Sequence, residues 1–166
     1  MCDLVPIGAS LADSGTLPRT GDDSQREGPR RTLYAGPIDV QRVSSGFVYE
    51  SSYGYCRAVR AGDRVFVSGT APVPPAGEEL AAGAYRQMLR CCEIAVAALE
   101  RCGAGTADVV RTRMYITDLA DADEVGRAHA EVFGANPPAT AMVVVAGLLD
   151  PGWKVELEVD AIVAGA

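Results

Sequence analysis

The segment Lys154-Val155-Glu156-Leu157-Glu158-Val159 alternates without a break. In an extended chain Val155, Leu157 and Val159 fall on one face, and Glu156 and Glu158 on the other. Such a strand has to bury one side in a core, while its second side carries carboxylates. Val109 to Thr117 repeats the pattern: Val110, Thr112, Met114 and Ile116 share one face, and Arg111, Arg113, Tyr115 and Thr117 the other. Arg64-Val65-Phe66-Val67-Ser68 is a third, shorter strand, entered from the turn-like Ala61-Gly62-Asp63 and ended by Gly69.

Helical periodicity fills the gaps between strands. From Ala84 to Cys102, apolar residues recur at three- and four-residue spacing through Met88, Cys91, Ala95 and Leu99, and Gly103 stands where a left-handed cap would fall. A second helix is expected from Asp121, paired with Glu124 in a capping-box-like arrangement, to Gly134. Its inward stripe is Val125, Ala128 and Val132. Two closing strands, about 139–146 and 154–163, are joined by an Asp150-Pro151-Gly152 turn. The order strand, helix, strand, helix, strand, strand implies an α+β class: a two-layer domain with a mixed sheet and two helices on one face.

The chain of 166 residues is long enough for one core and too short for two. Residues 1–40 lack apolar periodicity and are expected to form a flexible arm, leaving 41–166 as the folded domain. A formal net charge of -7 disfavours nucleic acid as a partner. No apolar run approaches the ~20 residues of a membrane span, and the N-terminus lacks the basic region of a secretory signal, so a cytoplasmic protein is expected. The five cysteines show no metal-type spacing and read as reduced core or surface thiols.

Several landmarks then fall in a known order. Gly54-Tyr55, Val67-Ser68-Gly69, Asp108-Val109-Val110-Arg111-Thr112, Asp118-Leu119, Pro138-Ala139 and Val155-Glu156-Leu157-Glu158 together resemble the Rid (YjgF) family of reactive-intermediate deaminases, from about residue 44 to 163. The resemblance implies a chorismate-mutase-like protomer, a homotrimer with a central barrel, and clefts between neighbouring subunits. It also implies hydrolysis of enamine or imine metabolites without a cofactor or metal.

By strand parity the face away from the helices holds Phe66 and Ser68, Arg113 and Tyr115, and Glu156 and Glu158. The family pattern adds Thr140, Met142 and Val144. A face mixing aromatic, apolar and charged groups fits burial against a partner subunit. Glu156 matches the family glutamate that activates water and is the catalytic candidate, with Glu158 as the fallback; the plainer role for Glu156 is an interfacial carboxylate paired with Lys154 or Arg113. Tyr55 and Ser68 match substrate-orienting residues, and Met142 stands where the family often has cysteine. Cys56, beside Tyr55, is read as inert.

Thr140 departs from the family. Deaminating members carry arginine there, and its guanidinium grips the substrate carboxylate. Either Arg113 takes over the anion, with Arg57 as second choice, or the natural substrate lacks a carboxylate at that point. Arg113 has a competing role in a salt bridge to Glu156 or Glu158. His129, the single histidine, is expected to be structural. Three functions stay open: an enamine or imine hydrolase, a tautomerase, lyase or cyclase of a specialised pathway, and a non-catalytic metabolite-binding or chaperone-like trimer.

Overall fold

The computed structural model describes residues 38–164. The arm expected over residues 1–40 lies outside the described residues except for its last three positions.

The alternating segments become the middle of a six-stranded sheet. In chain order the strands are β1 (Val40–Val43), β2 (Ala58–Ala61), β3 (Arg64–Thr70), β4 (Val109–Ile116), β5 (Ala139–Val144) and β6 (Val155–Ile162). Their spatial order is β1-β2-β3-β6-β4-β5. Only β4 and β5 run parallel; the other neighbours are antiparallel. This is the mixed sheet of the expected α+β class. The strongest alternator, β6, lies between β3 and β4, where its apolar face meets the most neighbours.

Two long helices, α2 (Ala84–Arg101) and α3 (Ala122–Phe133), pack on one face of the sheet, and a short α1 (Val48–Tyr53) precedes β2. Val65, Val67, Val155, Leu157 and Val159 are buried against Met88, Cys91, Ala95 and Leu99 of α2 and Val125 and Ala128 of α3. Gly103 takes the left-handed conformation at the end of α2, φ 72°, as its position implied. The Asp150 side chain accepts from Gly152 N at 2.7 Å, closing the expected turn. Gln87, buried in α2, donates to the carbonyls of Ala81 and Gly152 and accepts from Lys154 N. One amide thereby fixes the loop that leads into β6.

Two expectations need correction. Val110 is not a core residue: it is 43% exposed, while Val109 is 5% exposed. Val109 pairs with Ala161 and Arg111 with Asp160, so β4 holds one extra residue there. This bulge reverses the parity, which returns to the expected one from Thr112 onward. The Asp121–Glu124 pair is no capping box either. Asp121 accepts instead from Lys154 Nζ at 2.9 Å, and Glu124 from Tyr85 N at 3.2 Å, so both carboxylates tie α3 to other parts of the fold.

Candidate active site

A second bulge shapes the site. Val67 pairs with Val159 and Thr70 with Leu157, which leaves one unmatched residue around Ser68-Gly69. Val65, Val67 and Thr70 therefore all face the core, and the Ser68-Gly69 step is turned onto the wall of a hollow. The segment before β2 is stitched to it: Ser68 N donates to Arg57 O, Ser68 Oγ to Cys56 O at 2.8 Å, and Arg57 Nη2 to Gly69 O at 2.8 Å. Ser68 thus uses its proton on the backbone and keeps its lone pairs for another donor.

The hollow has a volume of about 740 Å³ and brings together Tyr55, Arg57, Ser68, Gly69 and Glu156. Three of the expected site residues, Glu156, Tyr55 and Ser68, therefore share one wall, although they come from three separate parts of the chain. Glu156 is half-buried and makes no hydrogen bond or ion pair with any described residue. Burial raises its proton affinity, the nearby Glu158 charge adds to this, and Arg57 opposes both. The result is a carboxyl group that titrates above the ordinary glutamate range while facing open space.

Glu50 on α1 behaves in the opposite way. It is only 6% exposed and accepts hydrogen bonds from Ser44 Oγ and from Ser45 N and Oγ. Desolvation pushes its carboxyl up, but the Ser44 and Ser45 bonds and the Arg57 charge outweigh it and leave the group below its usual range. Glu50 is a fixed anion that pins α1 to the preceding loop, whereas Glu156 is the carboxyl free to exchange a proton.

The other expected site residues lie elsewhere in the protomer. Arg113 reaches Glu158 at 3.4 Å and Asp160 at 3.3 Å, fulfilling the structural alternative rather than entering the hollow. Glu158 also accepts from Tyr115 Oη at 3.1 Å, so the fallback carboxylate is engaged. Thr140 and Met142 are not on the face expected of them. In the parallel register Thr140 sits beside Thr112 and Met142 beside Met114, on the helix side of the sheet. Thr112 Oγ1 donates to Thr140 Oγ1 at 2.8 Å and lies 2.8 Å from His129 Nε2. Thr112 Oγ1 thus bridges Thr140 on β5 and His129 on α3. His129 packs on Phe133 and has the structural role expected of it, its proton affinity lowered by burial.

Among the described residues no cysteine lines the hollow. Cys91 and Cys92 are buried, and burial moves both up, Cys92 to about 12. Cys56 does not line the hollow; its Sγ rests against Ala58 O. No group of three or more histidine, cysteine, aspartate or glutamate side chains among the described residues is placed to hold a metal.

The sequence reading missed the aromatic wall. Phe47, Tyr49, Tyr53, Tyr55 and Trp153 all line the hollow, half of the ten aromatic residues in the chain. The Tyr49 and Tyr53 rings stack at 5.2 Å with 4° between their planes, and Phe47 meets Tyr49 edge-on at 5.1 Å. Tyr49 and Tyr53 are four residues apart, and this helical spacing was the available signal.

This geometry agrees with the comparisons. Residues 49–163 match the family model described as Endoribonuclease L-PSP. Two curated relatives are the uncharacterized protein SCO2049 of Streptomyces coelicolor and the RutC family protein y4sK of Sinorhizobium fredii. SCO2049 is 41% identical over 124 residues, 74% of this chain and 91% of its own length. The y4sK protein is 35% identical over 105 residues, 63% of this chain and 82% of its own length. The crystal structure of Rv2704 from Mycobacterium tuberculosis, a member of the YjgF/YER057c/UK114 family, superposes with a TM-score of 0.70 at 42% identity, covering 75% of this chain and all of that one. The chain belongs to the YjgF/RutC family, also called Rid, as its landmarks indicated.

Proposed function

We propose that the protein is a cofactor-independent hydrolase of the Rid type, acting on a small imine, enamine or related tautomerisable carbonyl compound, with Glu156 as the proton-transferring group. The observation that carries this reading is the state of Glu156: half-buried, unpaired among the described residues, raised in proton affinity and facing a hollow shared with Tyr55 and Ser68. A base whose pKa moves toward neutrality is suited to taking and returning a proton in one turnover.

In the proposed reaction, water oxygen bonds to the imine carbon while Glu156 removes a water proton and passes it to nitrogen. The hydroxyl proton of the resulting aminoalcohol then goes to nitrogen by the same carboxylate. The C–N bond breaks, ammonia leaves, and a carbonyl compound remains. Tyr55 and Ser68 orient the reacting group, and the Ser68 lone pairs are free to accept from it.

The functional unit in this proposal is a homotrimer with clefts at subunit boundaries. The open sheet face presents Phe66 on β3 and Val143 on β5, 43% and 49% exposed, which supports burial against another copy. Within the protomer Thr140 and Met142 lie on the helix side of the sheet and do not line the hollow. The exposed apolar face and the acidic chain favour self-association over RNA as a partner.

The test generates imines in situ from amino acids with an amino-acid oxidase and follows their hydrolysis with wild-type protein and Glu156→Gln. Acceleration by the wild type and its loss in the variant are expected. Equal rates for the two proteins overturn the assignment.

A further inference from the structure

We infer that this hollow selects an aryl-bearing 2-imino acid or its 2-oxo counterpart, with the aromatic group held by α1 and Trp153 and the carboxylate by Arg57. The inference rests on the proposed reaction site and names its substrate class.

The volume comes first. Within one protomer the hollow spans about 740 Å³ and is open to one side, which leaves more room than a three-carbon imino acid fills. Its lining offers flat surfaces in a definite arrangement: the stacked Tyr49–Tyr53 pair, Phe47 edge-on to it, and Trp153 from the loop before β6. These rings are held in place from behind. The buried Glu50 carboxylate fixes α1 to Ser44 and Ser45, and the Gln87 side chain bonds both sides of Trp153, at Gly152 O and Lys154 N. An aromatic guest gains burial and ring–ring contact at little ordering cost on such a wall.

The charge comes second. Among the described residues two arginines line the hollow, Arg57 and Arg90. Arg90 is engaged, with Nε on Val73 O and Nη1 on Glu93. Arg57 is 8% exposed, spends Nη2 on Gly69 O, and ion-pairs with no described carboxylate. Its Nε has no partner and its Nη1 makes no hydrogen bond with a described residue. The Glu50 and Glu156 carboxylates lie near enough to feel the Arg57 charge, but neither is in contact with it, so a buried guanidinium with unused N–H groups beside an open space can take an anion. Arg57 also stands near the Tyr55 ring, 5.8 Å from its centre, on the same wall as Glu156. A 2-imino acid gripped there by its carboxylate has its imine carbon next to the proton-transferring group. In this inference the arginine missing from position 140 is replaced by Arg57, from the segment just before β2, rather than by Arg113.

Calorimetric titration of the full-length protein tests this with three stable probes: phenylpyruvate, pyruvate and benzyl methyl ketone. Phenylpyruvate is expected to bind at least about ten-fold more tightly than either probe that lacks the ring or the carboxylate. Arg57→Gln brings phenylpyruvate down to the affinity of the ketone, and Arg57→Lys retains part of the difference. Tyr53→Ala, which removes a ring that is 65% exposed and absent from the core, narrows the gap between phenylpyruvate and pyruvate. Equal binding of phenylpyruvate and pyruvate overturns the aromatic class, and an Arg57→Gln protein that still prefers the acid overturns the anchor. Glu156→Gln keeps the probe binding, so a failure of the hydrolase reading shows in turnover while a failure of this inference shows in affinity.

Discussion

Gly69 lies directly against the carboxylate of Glu156: a β-carbon on Gly69 would overlap Oε1 and come within 3.1 Å of Cδ. Any side chain at this position, at the bulge between β3 and β6, would push the end of the Glu156 side chain aside. Gly69→Ala should displace the carboxylate while leaving the core strands paired. Turnover is expected to fall about a hundred-fold, the usual cost of moving a reacting group by an ångström. Circular dichroism should show an unchanged fold. A Gly69→Ala protein with normal turnover would mean that the position of Glu156 does not matter.

Glu156 and Glu50 should respond to pH with opposite signs. The folded state raises the Glu156 pKa, so this group contributes stability below its unfolded pKa and loses it as pH rises through the folded value. Glu156→Gln should therefore melt at a higher temperature than wild type near about pH 7, with the gap closing toward about pH 4. Scanning calorimetry at the two pH values checks this.

The folded state lowers the Glu50 pKa, so its stability is present above the unfolded pKa and lost as pH falls through the folded value. Glu50→Gln should cost about 2 kcal/mol near neutrality, because hydrogen bonds to a buried charge are given up. The difference should shrink below about pH 4. Urea denaturation across the acid range measures it.

Thr112 is fully buried between His129 and Thr140. Thr112→Val conserves shape and leaves the His129 ring nitrogen without its hydrogen-bond partner, at a cost of about 1–2 kcal/mol. Thr140→Val should cost less, since Thr140 is exposed and water can replace its bond. Denaturation midpoints of the two single variants give the order.

The elements that could be read from sequence were those with enough residues to show a period. α2 spans 18 residues and β4 and β6 eight each, and all three end within a residue or two of where the pattern stops. β1, β2 and α1 went unseen because four to six residues show too little of a period to stand out. Val110 was misplaced because a bulge adds a residue without altering composition. Thr140 was given the wrong face because β5 is exposed on both sides, so its sequence Ala139-Thr140-Ala141-Met142 shows no alternation to fix parity.

The site was legible in part. Glu156, Tyr55 and Ser68 were found through the order of landmarks, which reflects the chain path around the hollow. The aromatic wall and the place of Arg57 in the hollow depend on which segments meet across the bulge at Ser68-Gly69, and spacing along the chain carries no record of that meeting.

Carboxyl-carbon NMR of protein labelled at glutamate, with Glu156 assigned by comparison with Glu156→Gln, follows the decisive proton directly. The carboxyl of Glu156 should titrate above the range of an exposed glutamate, because it is desolvated and stands near the Glu158 charge. A carboxyl at 156 that titrates within or below that range would contradict its role as the group that carries protons in this hollow.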